Sequence, residues 1–290
     1  MNFLKKLGCA AAFSMAFAGA ASAAPVLNDW VFNPNGGGFE SGQQINEYLD
    51  VNGNAFIQIA PTTGNQFSFT EHAVFNIGQA DSNGQFFPVN YAGGNITATF
   101  NAYGTGTFGG GFAFEGGTIT IYQNPTGGQY GTTEGNYGAD LGNVIATFDV
   151  LAGGGGRVDA QGNPLDNGNV SVFARAEVGG LAPGYFFLGD GTDLSNSALL
   201  SFAFTNANTV GSPTSTLVSE VACGYAGFTG NGCNGTAYSN AAGAYFFVSN
   251  NGQFKLAEVI QEVPEPGSLA LFGIAMLGAG VASRKRANKA

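Results

Sequence analysis

The chemistry open to this chain is bounded by how few reactive side chains it carries. His72 is the one histidine in 290 residues, and it follows Glu71 in the stretch Phe67-Ser68-Phe69-Thr70-Glu71-His72-Ala73-Val74-Phe75. A Ser-His-Asp triad would have to use that histidine, and there is no Gly-x-Ser-x-Gly elbow to present a serine. A lone histidine in an alternating stretch reads as a structural residue. A zinc site asks for three or four His, Cys or acidic ligands, which one histidine and a pair of cysteines do not supply. A glycosidase needs two carboxylates roughly 5–9 Å apart. The 19 acids of the chain permit such a pair, but their spacing nominates none. The expectation is a non-catalytic protein with no bound metal and no cofactor.

Two weaker signals remain. Asp190-Gly191-Thr192-Asp193, and Asp159-Ala160-Gln161-Gly162-Asn163 with Asp166-Asn167-Gly168-Asn169, are oxygen-rich turns. Calcium takes carboxylate and carbonyl oxygens from flexible loops, which makes Ca²⁺ a candidate partner. Ordinary Asx turns explain the same residues. Cys223 and Cys233 are an even pair at short spacing, which in an exported chain reads as one disulfide closing residues 224–232.

The most specific spacing lies near the C-terminal end. Val263-Pro264-Glu265-Pro266-Gly267 precedes an uncharged run, Ser268 to Ser283, and Arg284-Lys285-Arg286 follows. The prolines fix φ and carry no N–H, so they hold the peptide extended. The run is shorter than the roughly 20 residues of a usual membrane-spanning helix. Arg and Lys resist translocation and stay on the cytoplasmic side, which puts Pro-Glu-Pro on the outer face. This three-part tail resembles the PEP-CTERM sorting signal of Gram-negative, exopolysaccharide-producing bacteria. The resemblance implies that an exosortase, a membrane-embedded cysteine transpeptidase, cuts at Pro264, Glu265 and Pro266. Arg284, Lys285 and Arg286 would then fix topology during a transient stay in the inner membrane, before delivery to the cell surface or extracellular matrix. The alternative is a plain anchor whose Pro-Glu-Pro only stops a helix.

The other end also reads as export. Lys5 and Lys6 precede an apolar stretch from Leu7 to Ala21, and Ala21-Ser22-Ala23 stands before Ala24-Pro25. A basic start, an apolar middle and small residues at −3 and −1 describe a secretory signal peptide cut after Ala23. Cys9 lies near the start of that stretch, where a lipoprotein cysteine would follow it, and Lys6-Leu7-Gly8 before it lacks the branched apolar residue a lipobox needs at −3.

Those segments need a body between them. Residues 24–262 hold three basic residues, Arg157, Arg175 and Lys255, against 18 acids, a formal charge of −15. Such a surface repels nucleic acid and anionic membranes, and it attracts cations. Its 26 phenylalanines belong to the whole chain and argue for an ordered core despite 48 glycines. Alternating runs recur between glycine-rich turns: Phe67 to Phe75, Asn95 to Tyr103, Asn143 to Leu151 and Asn169 to Val178. Asn52-Gly53-Asn54, between two such runs, reads as a hairpin turn, and the glycines at 153–156 read as the end of a strand. No helical periodicity appears outside the two ends. The expectation is all-β: an antiparallel sandwich or jelly-roll-like body at 24–262, a signal helix at 1–23, and a sorting segment with a transmembrane helix at 263–290.

The body is similar to the flocculation-associated PEP-CTERM proteins of floc-forming bacteria. The similarity rests on Ile45-Asn46-Glu47-Tyr48, on Ala146-Thr147-Phe148-Asp149-Val150-Leu151, on Leu181-Ala182-Pro183-Gly184-Tyr185-Phe186 and on Gly189 to Ser195. It implies a surface or matrix protein that helps cells aggregate, as flocs or biofilm, with exopolysaccharide. It supplies no catalytic residues. A carbohydrate-binding module and a secreted polysaccharide hydrolase are the competing readings. Tyr130 and Tyr137, near glycine turns, are the tyrosines expected at the surface for stacking on sugar rings.

Overall fold

Side-chain alternation sets the strands. Along Tyr48–Pro61, Leu49, Val51 and Ala55 are buried, while Tyr48, Asp50, Asn52 and Asn54 face the other way. The computed structural model describes residues 26–82, 85–91, 94–165 and 168–258. All of them fall in the first of two units into which the chain divides, Met1–Glu258 and Val259–Ala290. The signal segment 1–23 and the sorting segment 263–290 lie outside the described residues. Among the described residues no helix is long and apolar enough to cross a membrane.

The strands are β1 (Trp30–Phe32), β2 (Gln43–Ile45), β3 (Tyr48–Pro61), β4 (Gln66–Ser82), β5 (Gln85–Pro88), β6 (Asn95–Thr107), β7 (Gly111–Asn124), β8 (Asn143–Val150), β9 (Gly153–Arg157), β10 (Gly168–Ala176), β11 (Phe186–Phe187), β12 (Leu199–Val210) and β13 (Tyr245–Glu258). Hydrogen bonding runs β12-β13-β3-β4-β6-β7-β8-β10, and β10 pairs again with β12. The antiparallel all-β class is as expected, but the two-sheet sandwich is replaced by a closed ring of eight strands. The closing pair joins Gly168–Ala176 to Leu199–Ala207 without a register break. Closure leaves the ring without a free edge. The short glycine strand β9 bridges β7 and β10, and β5 lies on β4.

Inside the ring sits the main core. Trp30, Phe32 and Phe186 close one end, with Trp30 stacked on Phe186 at 6.2 Å and Phe32 tilted against it at 5.1 Å. They belong to the small sheet β11-β1-β2, which is tied to the ring by Asn46 N donating to Asp81 O at 2.8 Å and Leu27 N to Leu256 O at 2.8 Å. At the other end, where β3 finishes and β4 begins, Val158 and Phe108 pack under the turn at Asp159–Asn163.

Three local expectations fail for physical reasons. Asn52-Gly53-Asn54 is no hairpin, because β3 runs straight through it. Glycine is needed there because a Cβ would strike Val74 O and the Phe75 ring on the adjacent strand. The glycines at 153–156 do not simply end a strand but form β9, and Gly155, at φ 112, has no room for a side chain beside the Phe112 carbonyl. A helix, α1, also appears where no helical pattern was read: α-geometry over Ser215–Leu217 continues as π-geometry over Val218–Tyr225. Thr214 caps it by accepting from Leu217 N at 3.2 Å. The helix lies on the outside of the ring. Leu217, Val218, Val221 and Ala222 cover Phe56, Val74 and Phe247, forming a second small core.

Candidate functional site

Strand register gathers the amides of the outer wall. Asn169 is opposite Asn206, Asn206 opposite Asn251, Asn251 opposite Asn52, and Asn52 opposite Asn76. Residues directly opposite share a face, so five asparagines form one row across β10, β12, β13, β3 and β4. The neighbouring outward row carries Ser171, Gln253, Asp50 and Gln79. Of these, Asn169, Asn206, Asn251, Ser171, Gln253 and Asp50 line a surface cleft of about 430 Å³, with Phe86 at its border. The size is in the range of small-molecule sites.

An aromatic rim stands beside the cleft. Phe86 on β5 is 54% exposed and meets Tyr48 edge-on at 5.9 Å. The Lys255 ammonium lies 5.5 Å from the centre of the Tyr48 ring and pairs with Glu47. Burial pushes the Asp50 carboxyl up from its ordinary value. A carboxamide offers donors and an acceptor on one plane, and a row of them matches the alternating donors and acceptors of vicinal hydroxyls. The exposed Phe86 face adds an apolar surface for C–H groups. No reading of the sequence pointed to Asn52, Asn76, Asn169, Asn206 and Asn251 as a group. Only register brings them together, from segments as far apart as β3 and β13.

The residues singled out from the sequence end up in several places. Cys223 and Cys233 are joined as a disulfide, at the end of α1. Glu71 and His72 point to opposite faces of β4. Glu71 is 8% exposed inside the ring. His72 lies outside, edge-on to Tyr225 of α1 at 5.0 Å, and its Nδ1 is buried without a partner. Asp159 Oδ1 accepts from Gln161 N at 2.8 Å and Asn163 N at 2.9 Å. Asp193 accepts from Ser195 N and Gly184 N, both at 2.8 Å, and Asp190 from Thr192 N at 2.9 Å. These carboxylates are engaged in Asx turns. Among the described residues no cluster of three or more His, Cys, Asp or Glu stands together.

Tyr130 and Tyr137 are not the surface platforms expected of them. They meet edge-on at 5.3 Å against the small outer core, and Tyr130 Oη donates to Val74 O at 3.1 Å. Burial pushes the Tyr130 hydroxyl well up. The stretches Ile45 to Tyr48, Leu181 to Phe186 and Gly189 to Ser195 do converge. Ala146 bridges Leu181, Phe187 bridges Asp193, and β11 and β2 flank β1 at the closed end of the ring.

Pro264, Glu265 and Pro266, Arg284, Lys285 and Arg286, and Ala21, Ala23 and Ala24 lie outside the described residues. For the tail, comparison with known families decides the matter. Residues 262–286 match the PEP-CTERM protein-sorting motif. A chain with this motif is an exported protein processed by an exosortase and sorted toward the cell surface of a Gram-negative bacterium. The match covers the tail alone. No curated protein matches the chain. No solved structure matches it either.

Proposed function

We propose that this protein is a non-catalytic component of the cell surface or extracellular matrix, which promotes aggregation by holding exopolysaccharide. The observation that carries the reading is the amide-lined cleft with Phe86 at its rim, on the outer wall of a body whose sorting motif sends it outside the cell. Sugar hydroxyls would exchange hydrogen bonds with the Asn206, Asn251 and Gln253 amides, and a pyranose face would rest on Phe86. The cleft carries one acid, Asp50, and acids elsewhere on the −15 body would reach anionic chains through shared Ca²⁺. Cutting at Pro264-Glu265-Pro266 would make the stay in the inner membrane transient.

The test is a deletion strain complemented with the full chain, wild type or carrying Phe86→Ala and Asn251→Ala together. These exposed positions spare the core, so folding and export should be unchanged. Wild type should restore flocculation and pull down the cell's own exopolysaccharide, and the double variant should lose most of both. Unchanged binding by the variant would remove the cleft from the account. Depolymerisation of the polysaccharide by the pure protein would favour a hydrolase instead.

A further inference from the structure

The ring interior holds a carboxyl group that the fold does not need. Glu71 projects inward from β4 between two cavities of about 70 Å³ and about 30 Å³, and borders both. The larger is walled by apolar side chains, among them Ile57, Phe75, Phe100, Phe114, Ile121 and Val248. Glu71 is 8% exposed, and among the described residues none donates a hydrogen bond to its carboxyl or pairs with it. An acidic group placed in an apolar interior without a partner opposes folding, and apolar replacement of such a group is commonly neutral or stabilising. Leucine would fit the alternation of β4 better. Two further polar groups border the same cavity, the Asn250 amide, 6% exposed, and the Thr205 hydroxyl.

We propose that the ring interior is a binding site for a small molecule with a short aliphatic body and one hydrogen-bond-donating head, an alcohol or a primary amine, and that Glu71 recognises the head. The walls exclude a polar body, and above the value of about 7 to which burial raises it the Glu71 carboxyl is ionised, an acceptor with no donor of its own, which sets the chemistry of the head. The volume sets the length: the cavity is smaller than the roughly 150 Å³ apolar void that admits benzene, and larger than the space for one water. The head would lie at Glu71, where the two cavities meet, and the body would run along the larger. Thr205 borders both this cavity and the outer cleft.

The experiment is a saturable titration at about pH 8.5, where the Glu71 carboxyl is ionised, by ligand-observed NMR, of n-butanol, n-butylamine and methyl propyl ether into protein recovered from the cell surface. The ether matches butanol in atoms and lacks the donor. Wild type should bind the alcohol and the amine at least tenfold more tightly than the ether. Glu71→Leu should abolish that preference while raising the melting temperature of the free protein. Glu71→Gln, of nearly equal volume, should still take the alcohol and lose the amine. Equal binding of all three probes, an unaltered preference in Glu71→Leu, or no saturable binding because the cavities hold water alone, would each overturn the proposal.

Discussion

Glu71 and His72 are chain neighbours with opposite electrostatic consequences, because β4 puts one inside the ring and the other under α1. Burial pushes the Glu71 carboxyl up to about 7 from its ordinary 4.5. Between those values the folded protein keeps a proton that the unfolded chain releases. Stability therefore falls as pH rises from 4.5 to about 7, by roughly 3 kcal/mol in total, with no contribution below 4.5. Burial lowers the His72 imidazole from its ordinary 6.5. There the unfolded chain takes up the proton first, so stability falls as pH drops below 6.5. The two slopes oppose each other in the same window. Glu71→Gln should therefore turn the profile into one that rises with pH, and His72→Phe should steepen its fall. Urea midpoints measured across the window check this. A Glu71→Gln profile superposable on wild type would show that the carboxyl is not held in an apolar site.

At the scale of elements, α1 and the loop behind it form a patch fastened to a finished wall. Its contacts are the Leu217, Val218 and Val221 side chains, the Phe228 ring at 5.0 Å from Phe56, and the Cys223–Cys233 bond. A bridge across so short a loop stabilises by about 2–3 kcal/mol through the unfolded state. Replacing both cysteines by serine should cost about that much. Amide exchange should quicken first in Ser215–Tyr225, while β3, β4 and β13 keep their protection. Equal acceleration throughout the ring would mean that the patch is part of the barrel's cooperative unit.

The same elements show what the sequence could reveal. Alternation in β4, β6, β8 and β10 was legible because one face of each is buried and the period of two survives. The Cys223–Cys233 pair was legible from its parity and spacing. Ring closure was not, since it depends on β10 meeting β12, and no local pattern encodes which strands pair. The row from Asn52 to Asn251 was hidden for the same reason. Gly53 looked like a turn residue because local reading assigns glycine to turns, whereas its role is to let Phe75 approach. The helix α1 escaped because it is short and rich in valine, and it is held by Phe56 and Phe247 rather than by its own propensity. Tyr130 and Tyr137 were misplaced because that outer core covers them.

For the whole molecule, charge and address act together. A body at −15 repels its own copies and other anionic surfaces in the absence of cations. Calcium should therefore raise its retention on anionic exopolysaccharide, and chelation should release it and loosen flocs. Retention indifferent to chelation would confine the acids to a role in solubility.

Every proposed role requires the body to reach the surface, and the match to the sorting motif predicts how it does so. The direct measurement is mass spectrometry of the C-terminus of protein recovered from outside the cell, for wild type and for a variant with Pro264, Glu265 and Pro266 changed to alanine. Extracellular wild type should end near Pro266 or be joined there to another molecule, and the variant should stay full-length in the inner membrane. Recovery of the intact Arg284-to-Ala290 peptide from surface material, or normal delivery of the alanine variant, would contradict this.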